Sequence, residues 1–247
     1  MSDLESASLW RLSAFESLRT AAASTANAAL RRQTQLSSTL QAELRLLDRR
    51  RASSDPLETM AVCMRLRESA LLYLQHDDLV WPVTVYPTQK LYHSPRNLVR
   101  GTRRGMAGLR TLDIEPPGVQ PPGHWMHERI GRAEHYHPLM PALWALALQG
   151  PRATLLQELV GPAAFRALRN PVGQDLRTPG ALGPAIERLH KTTTPLRQIA
   201  RWPGMSDERA SRLLNGLYLT SNLIISRTHH SAQPGMLNWL FSRGGGA

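Results

Sequence analysis

Residues 191–227 carry the sharpest hydrophobic pattern in the chain. In the second half of this segment the apolar residues recur at the spacing of one buried helical face, and they are Ala210, Leu213, Leu214 and Leu217. Ser206 can cap this helix, and Asp207 and Glu208 occupy a first turn in which the helix dipole favours carboxylates. The following run, residues 222–227, is apolar and β-branched, which predicts a strand.

A shorter helix is predicted immediately before this one. Thr194 can act as its N-cap with Pro195 in the first helical position, and Pro203 and Gly204 end it. Two short helices followed by a strand are the pattern of a winged helix-turn-helix. We therefore predict a winged-helix module at residues 181–230, with a preceding helix at about residues 184–190.

The rest of the chain divides where the composition changes. Residues 1–54 contain neither proline nor glycine and predict a helical N-terminal arm, which either caps the main domain or binds a partner. Residues 55–175 predict an α+β central domain. Residues 231–247 predict a C-terminal helical turn followed by a flexible tail that ends in glycines.

The central domain contains the most strand-like segment, LVWPVTVYP, at residues 79–87. Pro82 assigns this strand to an edge or a bulge, and residues 90–93 can form its hairpin partner. Residues 56–75 fit either a helix or strands, of which we favour the helix, and residues 138–170 predict further helices. The predicted fold class is therefore mainly α with a small β element and a C-terminal winged helix-turn-helix module.

The composition points to a cytoplasmic protein that needs no disulfide. The single cysteine, Cys63, cannot form an internal bridge, and its apolar surroundings predict a buried thiol in a reducing compartment. No apolar run approaches the roughly 20 residues that span a membrane. The acidic residues of the N-terminal MSDLESASLW are not those of a secretory signal.

The formal net charge of +11 favours polyanions or acidic partners. Almost all of the 30 basic residues are arginines, a bias that a GC-rich coding sequence also produces. Between Leu79 and Leu112 there is no acidic residue, and the glycines there indicate a flexible basic loop. Its candidate anion- or partner-binding residues are Arg96, Arg100, Arg103 and Arg104, because guanidinium forks match phosphate and carboxylate geometry. A solvated loop without a ligand is the competing interpretation.

Four histidines and two glutamates fall within residues 124–137. The candidate metal ligands are His124, His127, His135 and His137. Their spacing is not that of the HExxH motif, and cysteine partners for a structural zinc are absent from the sequence. Surface histidines around a loop are the favoured interpretation, and we predict no cofactor.

The run LRQIARWPGMSDERASRLLNGLYLTSNLI resembles the winged-helix portion of bacterial regulators, in particular the helical half of PatA N-terminal-type (PATAN) domains. The resemblance covers less than a fifth of the chain. The segment WPVTVYPTQKLYHSP stands where that family has a glycine-marked β-segment, and it lacks clear glycines. The resemblance implies a signalling or adaptor role through protein contacts.

Three classes of function remain open on these grounds. A DNA-binding regulator would present the first turn of the second module helix to DNA, where Asp207 and Glu208 are repelled by phosphates. Arg209 and Arg212 on the exposed side of that helix, our candidate partner- or anion-binding residues there, could compensate. The other residues expected on the exposed side are not a base-reading set, so we favour a non-enzymatic bacterial adaptor with an acidic protein partner; they are Asn215, Gly216 and Leu219. A metal-dependent enzyme that uses the histidines and glutamates is the third hypothesis. The sequence has no phosphate loop and no nucleophile elbow, so this cluster is its only catalytic candidate. The partner and the oligomeric state stay open.

Overall fold

The computed structural model describes residues 9–24, 36–50, 52–102, 105–168 and 178–227. The chain divides into two compact units, an N-terminal unit of residues 1–152 and a C-terminal unit of residues 153–247. The predicted helical turn and tail at residues 231–247 lie outside the described residues. In the part of the chain that is described, no helix combines the length and apolarity needed to cross a membrane.

The N-terminal unit combines five α-helices and six strands in its described residues. In chain order they are β1 (Trp10–Arg11), α1 (Leu12–Ser24), α2 (Ser38–Arg49), α3 (Pro56–Leu66), β2 (Ala70–His76), β3 (Leu79–Tyr86), β4 (Leu91–His93), α4 (Leu98–Gly101), β5 (Arg110–Glu115), β6 (Tyr136–Pro138) and α5 (Leu139–Gln149). All sheet pairings are antiparallel, and the strand order is β5-β2-β3-β4-β6, with β1 added beside β3. Asp55 caps α3 by accepting hydrogen bonds from Leu57 and Glu58 N–H.

Strand β3 lies at the centre of this sheet, and both of its faces are buried. Successive strand residues point to opposite faces, so Val80 packs with Phe15 of α1 on one face, and Trp81 lies against Gly101 of α4 on the other. Burial on both faces explains why β3 is apolar at nearly every position rather than alternating. The hairpin with β4 is confirmed, with Thr84 opposite His93.

The prediction that Pro82 marks an edge or a bulge is wrong. Pro82 pairs with Tyr73 of β2 in a regular register. On its other side β1 pairs with residues 79–80 and β4 with residues 84–86, so Pro82 lies in the gap between these two partners. A proline without an N–H is tolerated in a central strand where one ladder is interrupted.

The C-terminal unit contains a three-stranded antiparallel sheet and three α-helices in its described residues. They are β7 (Ala164–Ala167), α6 (Leu182–Lys191), β8 (Thr194–Pro195), α7 (Leu196–Ile199), α8 (Asp207–Leu219) and β9 (Leu223–Ser226). The sheet order is β8-β7-β9. The predicted cap of α8 is confirmed, since Ser206 Oγ accepts from Arg209 N–H at 3.1 Å. The predicted leucine stripe of α8 is buried, and β9 follows as predicted. The winged-helix assignment itself stays a prediction.

The predicted fold class, mainly α with a small β element, is wrong. A six-stranded and a three-stranded sheet make the protein a mixed α and β structure. Only the first half of residues 56–75 is helical, because residues 70–76 form β2, buried between β3 and β5. Residues 164–167, predicted as helix, form the middle strand of the second sheet. Thr194 does not cap a helix but pairs with Phe165 in that sheet.

Candidate functional site

Helix α8 is buried along almost its whole length. Its exposed residues are confined to the first turn and the start of the second, where Asp207, Glu208 and Arg209 lie. The sequence placed Asn215, Gly216 and Leu219 on the exposed side, and all three are buried. A helix that reads DNA in the major groove needs an exposed face of several side chains, which α8 does not offer.

The two arginines predicted as contact residues on α8 are engaged within the unit. Arg209 Nη1 donates to Gly204 O at 2.6 Å. Arg212 Nε donates to Glu208 Oε1 at 2.8 Å in an i, i+4 ion pair. The first bond fixes the connection between α7 and α8, and the second stabilises the start of α8.

An exposed apolar patch lies instead on the outer face of the three-stranded sheet. Arg166 of β7 is directly opposite Ile224 of β9, so their side chains share one face. Leu168 continues this face, since its N–H donates to Asn222 O at 3.0 Å. Ile224 is 46% exposed and Leu168 41% exposed, whereas Phe165 and Ala167 on the opposite face are buried. Arg166, Leu168 and Ile224 are called the Ile224 patch below.

The predicted basic loop is in part a short helix. Asn97 caps α4 by accepting from Arg100 N–H at 3.1 Å, and the Tyr92 hydroxyl accepts from Leu98 N–H at 2.9 Å. Arg96 and Arg100 are both exposed on this ordered segment. Arg103 and Arg104 lie outside the described residues.

Residues 116–135 form an ordered loop between β5 and β6, called the Trp125 loop below. Its base is closed by side chains of the sheet: Tyr86 Oη donates to Val119 O at 2.6 Å, and Tyr136 Oη donates to Gln120 O. Gly131 N–H in turn donates to Tyr136 Oη at 2.8 Å. Gln120 N–H also bonds Arg129 O, so the two sides of the loop are joined.

Trp125 is 76% exposed on this loop. His124 lies beside it, with ring centroids 5.7 Å apart and planes inclined by 30°. Met126 N–H donates to His124 Nδ1 at 3.2 Å, which holds the imidazole in place. His127, the other predicted ligand of this segment, is exposed.

His135 and His137 lie close to a histidine that the sequence analysis did not single out. His93 of β4 is buried, and its ring centroid is 5.6 Å from that of His135 and 5.0 Å from that of Tyr136. His137 lies opposite Tyr92, with ring centroids 5.1 Å apart. Within the described ranges, no group of three or more histidine, cysteine or acidic side chains is placed to hold a metal ion.

Burial lowers the pKa of His93 from 6.5 to about 4, and the charges of His135 and His137 add to this effect. The pKa of His137 is also lowered, by burial first and with smaller contributions from His135 and Arg100. Arg100 of the basic segment is therefore within electrostatic reach of β6.

Cys63 is buried as predicted, and burial together with Glu68 raises its pKa to about 12, so the thiol is unreactive.

Acid is expected to destabilise the N-terminal unit through His93. Since its folded pKa lies below the unfolded value, stability is complete above about pH 6.5 and falls as the pH drops toward 4. At about 1.4 kcal/mol per pKa unit the loss approaches 3 kcal/mol. Urea unfolding across this range measures it, and His93→Asn should flatten the slope, whereas His127→Gln, an exposed control, should leave it unchanged. Because the pKa of His137 is also lowered, a shallower slope remains in His93→Asn; a slope as steep as that of the unsubstituted chain would assign the effect to other groups.

Comparison with protein-family models, with curated proteins and with solved structures finds no match to this chain in any of the three. The resemblance to PATAN domains thus rests on the residues quoted for it above.

Proposed function

We propose that the chain is a non-enzymatic regulatory or adaptor protein that binds another protein through its C-terminal module. The Ile224 patch is the observation that supports this best. Exposed aliphatic side chains beside an arginine on a regular sheet face are typical of protein interfaces, where apolar residues and arginine are enriched. The interface would lie on the sheet and not on α8, the helix that the sequence analysis favoured.

The partner we propose has an apolar surface bordered by carboxylates. Arg166 lies directly opposite Ile224 and two residues before Leu168, and it offers a guanidinium fork to a carboxylate. The described part of the C-terminal unit carries eight basic and four acidic residues, so its field favours an acidic partner. Such charges chiefly raise the association rate and select the partner, while the apolar contact supplies affinity.

Site-specific crosslinking tests this proposal. A photo-reactive residue at position 224 should give one discrete protein adduct in the native host, because the partner covers that position. The same residue at Gln198, exposed on α7, serves as the control and should not give that adduct.

Charge reversal then separates binding at the patch from adventitious capture. We expect Arg166→Glu to abolish the adduct and Arg201→Glu, an exposed arginine after α7, to retain it. An adduct that survives Arg166→Glu would reject the patch. Crosslinking of position 224 to duplex DNA in place of protein would favour the alternative of a DNA-binding regulator.

A further inference from the structure

The Trp125 loop belongs to the N-terminal unit and has no part in the proposed protein contact. Among the described tryptophans, Trp81 and Trp144 are buried and Trp10 and Trp202 are half-buried, so Trp125 alone is exposed. A tryptophan with three quarters of its surface in water is uncommon, because this side chain is highly buried on average. Four hydrogen bonds at its base fix the backbone of the loop, so the loop conformation that exposes Trp125 is formed before a ligand binds.

We infer that Trp125 is a stacking platform for the bases of single-stranded nucleic acid. A planar indole binds any nucleobase by its face, without reading sequence. The His124 ring extends this surface, because its orientation is held by the hydrogen bond from Met126 N–H. The platform is short and suits one or two bases.

Arginines of the Trp125 loop and of the segment bonded to its end supply cations for a phosphate backbone. Arg129 and Arg132 belong to the loop itself. Ser94 N–H donates to His135 O at 3.0 Å, which joins the end of the loop to the segment carrying Arg96. Arg100 lowers the pKa of His137, so it too faces this end of the sheet.

The combination favours nucleic acid over an acidic protein surface. An acidic peptide needs the cations but gains little from a flat, protruding ring, whereas a single strand uses both together. Two acidic residues, Glu128 and Glu134, also lie in the loop. They reduce the local positive charge, so we expect modest affinity that falls steeply with salt.

Fluorescence titration of the full chain at low salt tests the inference. The probes are a 12-nucleotide oligo(dT), an abasic 12-mer with the same phosphates, and polyglutamate. Oligo(dT) should quench the part of the tryptophan emission that comes from Trp125, which is the part missing in Trp125→Phe. It should also bind roughly 10-fold more tightly than the abasic strand, because stacking one base contributes about that much.

Variants identify which residues are responsible, and their affinities are measured by the fluorescence anisotropy of a dye-labelled oligo(dT), a signal that does not depend on Trp125. Trp125→Ala should weaken oligo(dT) binding by roughly 10-fold, to the level of the abasic strand, while Trp125→Phe keeps most of the affinity. Arg132→Ala should lower the salt dependence by about one phosphate contact. Arg45→Ala, an exposed arginine on α2, should change neither.

Equal affinity for oligo(dT) and the abasic strand would overturn the inference, as would an unchanged affinity in Trp125→Ala. Quenching by polyglutamate as strong as that by oligo(dT) would point to an acidic protein instead. These outcomes are independent of crosslinking at position 224, so the platform and the protein contact can fail separately.

Discussion

Replacing Arg152 with alanine is expected to lower the free energy of unfolding of the N-terminal unit by about 4 kcal/mol. Arg152 Nη1 lies 2.8 Å from Asp55 Oδ2, and its Nη2 lies 2.7 Å from Glu58 Oε1. The side chain of Glu58 is 3% exposed, so removing the guanidinium leaves a carboxylate buried without its cation. The loss also reaches the N-terminus of α3, because Asp55 caps that helix with its other oxygen.

Urea unfolding followed by amide exchange in α3 measures this loss. Arg152→Lys should recover only part of it, since an ammonium cannot form both bonds with the geometry of a planar fork. Arg65→Ala is the matched control, because Arg65 pairs with Glu43 where both side chains are about one-third exposed. Its cost should stay below about 1 kcal/mol. Equal costs for the two variants would show that Arg152 has no special structural role.

Asn215→Ala is expected to destabilise the C-terminal unit by roughly 3 kcal/mol. Asn215 is fully buried, its Oδ1 accepts from Leu156 N–H at 2.9 Å, and its Nδ2 donates to Thr154 O at 2.9 Å. Alanine would leave the N–H of buried Leu156 without its acceptor, which costs about 1–3 kcal/mol, and it would remove the bond to the carbonyl of exposed Thr154, which costs about 1 kcal/mol. The side chain thus holds the start of the unit against α8.

Thermal unfolding and amide exchange at Leu156 measure this effect. Asn215→Asp keeps the acceptor but loses the donor, so we expect a charged, imperfect substitute that does not restore stability. Gln198→Ala, at an exposed position on α7, is the control and should cost less than about 0.5 kcal/mol. A loss of similar size in both variants would contradict the structural role of Asn215.

Local patterns predicted those elements whose signals are contained in a few neighbouring residues. Ser206 caps α8 through a side chain three residues from its donor, and the leucines of α8 follow a single helical face. The strand at residues 79–86 was recognisable because β-branched and aromatic residues dominate it. Its pairing with residues 91–93 needed only a short connection.

Strand β2 could not be predicted in the same way. Its sequence, ALLYLQH, is buried at nearly every position because β3 and β5 flank it and helices cover the sheet. A short, continuously apolar run fits a buried helix or a buried strand equally well. Because leucine has a high helix propensity, we predicted a helix for this segment, and that prediction was wrong.

The candidate sites depended on distant contacts and were largely invisible in the sequence. Asn215 looked like an exposed helix position because it is polar, but its partners lie about 60 residues earlier in the chain. The base of the loop that carries Trp125 is held by hydrogen bonds from Tyr86 and Tyr136, which lie in strands on either side of the loop in sequence. No periodic pattern marks residues of either kind.

The central claim is that the chain contacts its partner through the sheet of the C-terminal unit. Hydrogen exchange of the chain, measured with and without the partner identified by crosslinking, tests this claim most directly. Purified partner should slow exchange in residues 164–168 and 223–226, and the Arg166→Glu variant should lose this protection. Protection confined to residues 206–212, the exposed start of α8, would contradict the account.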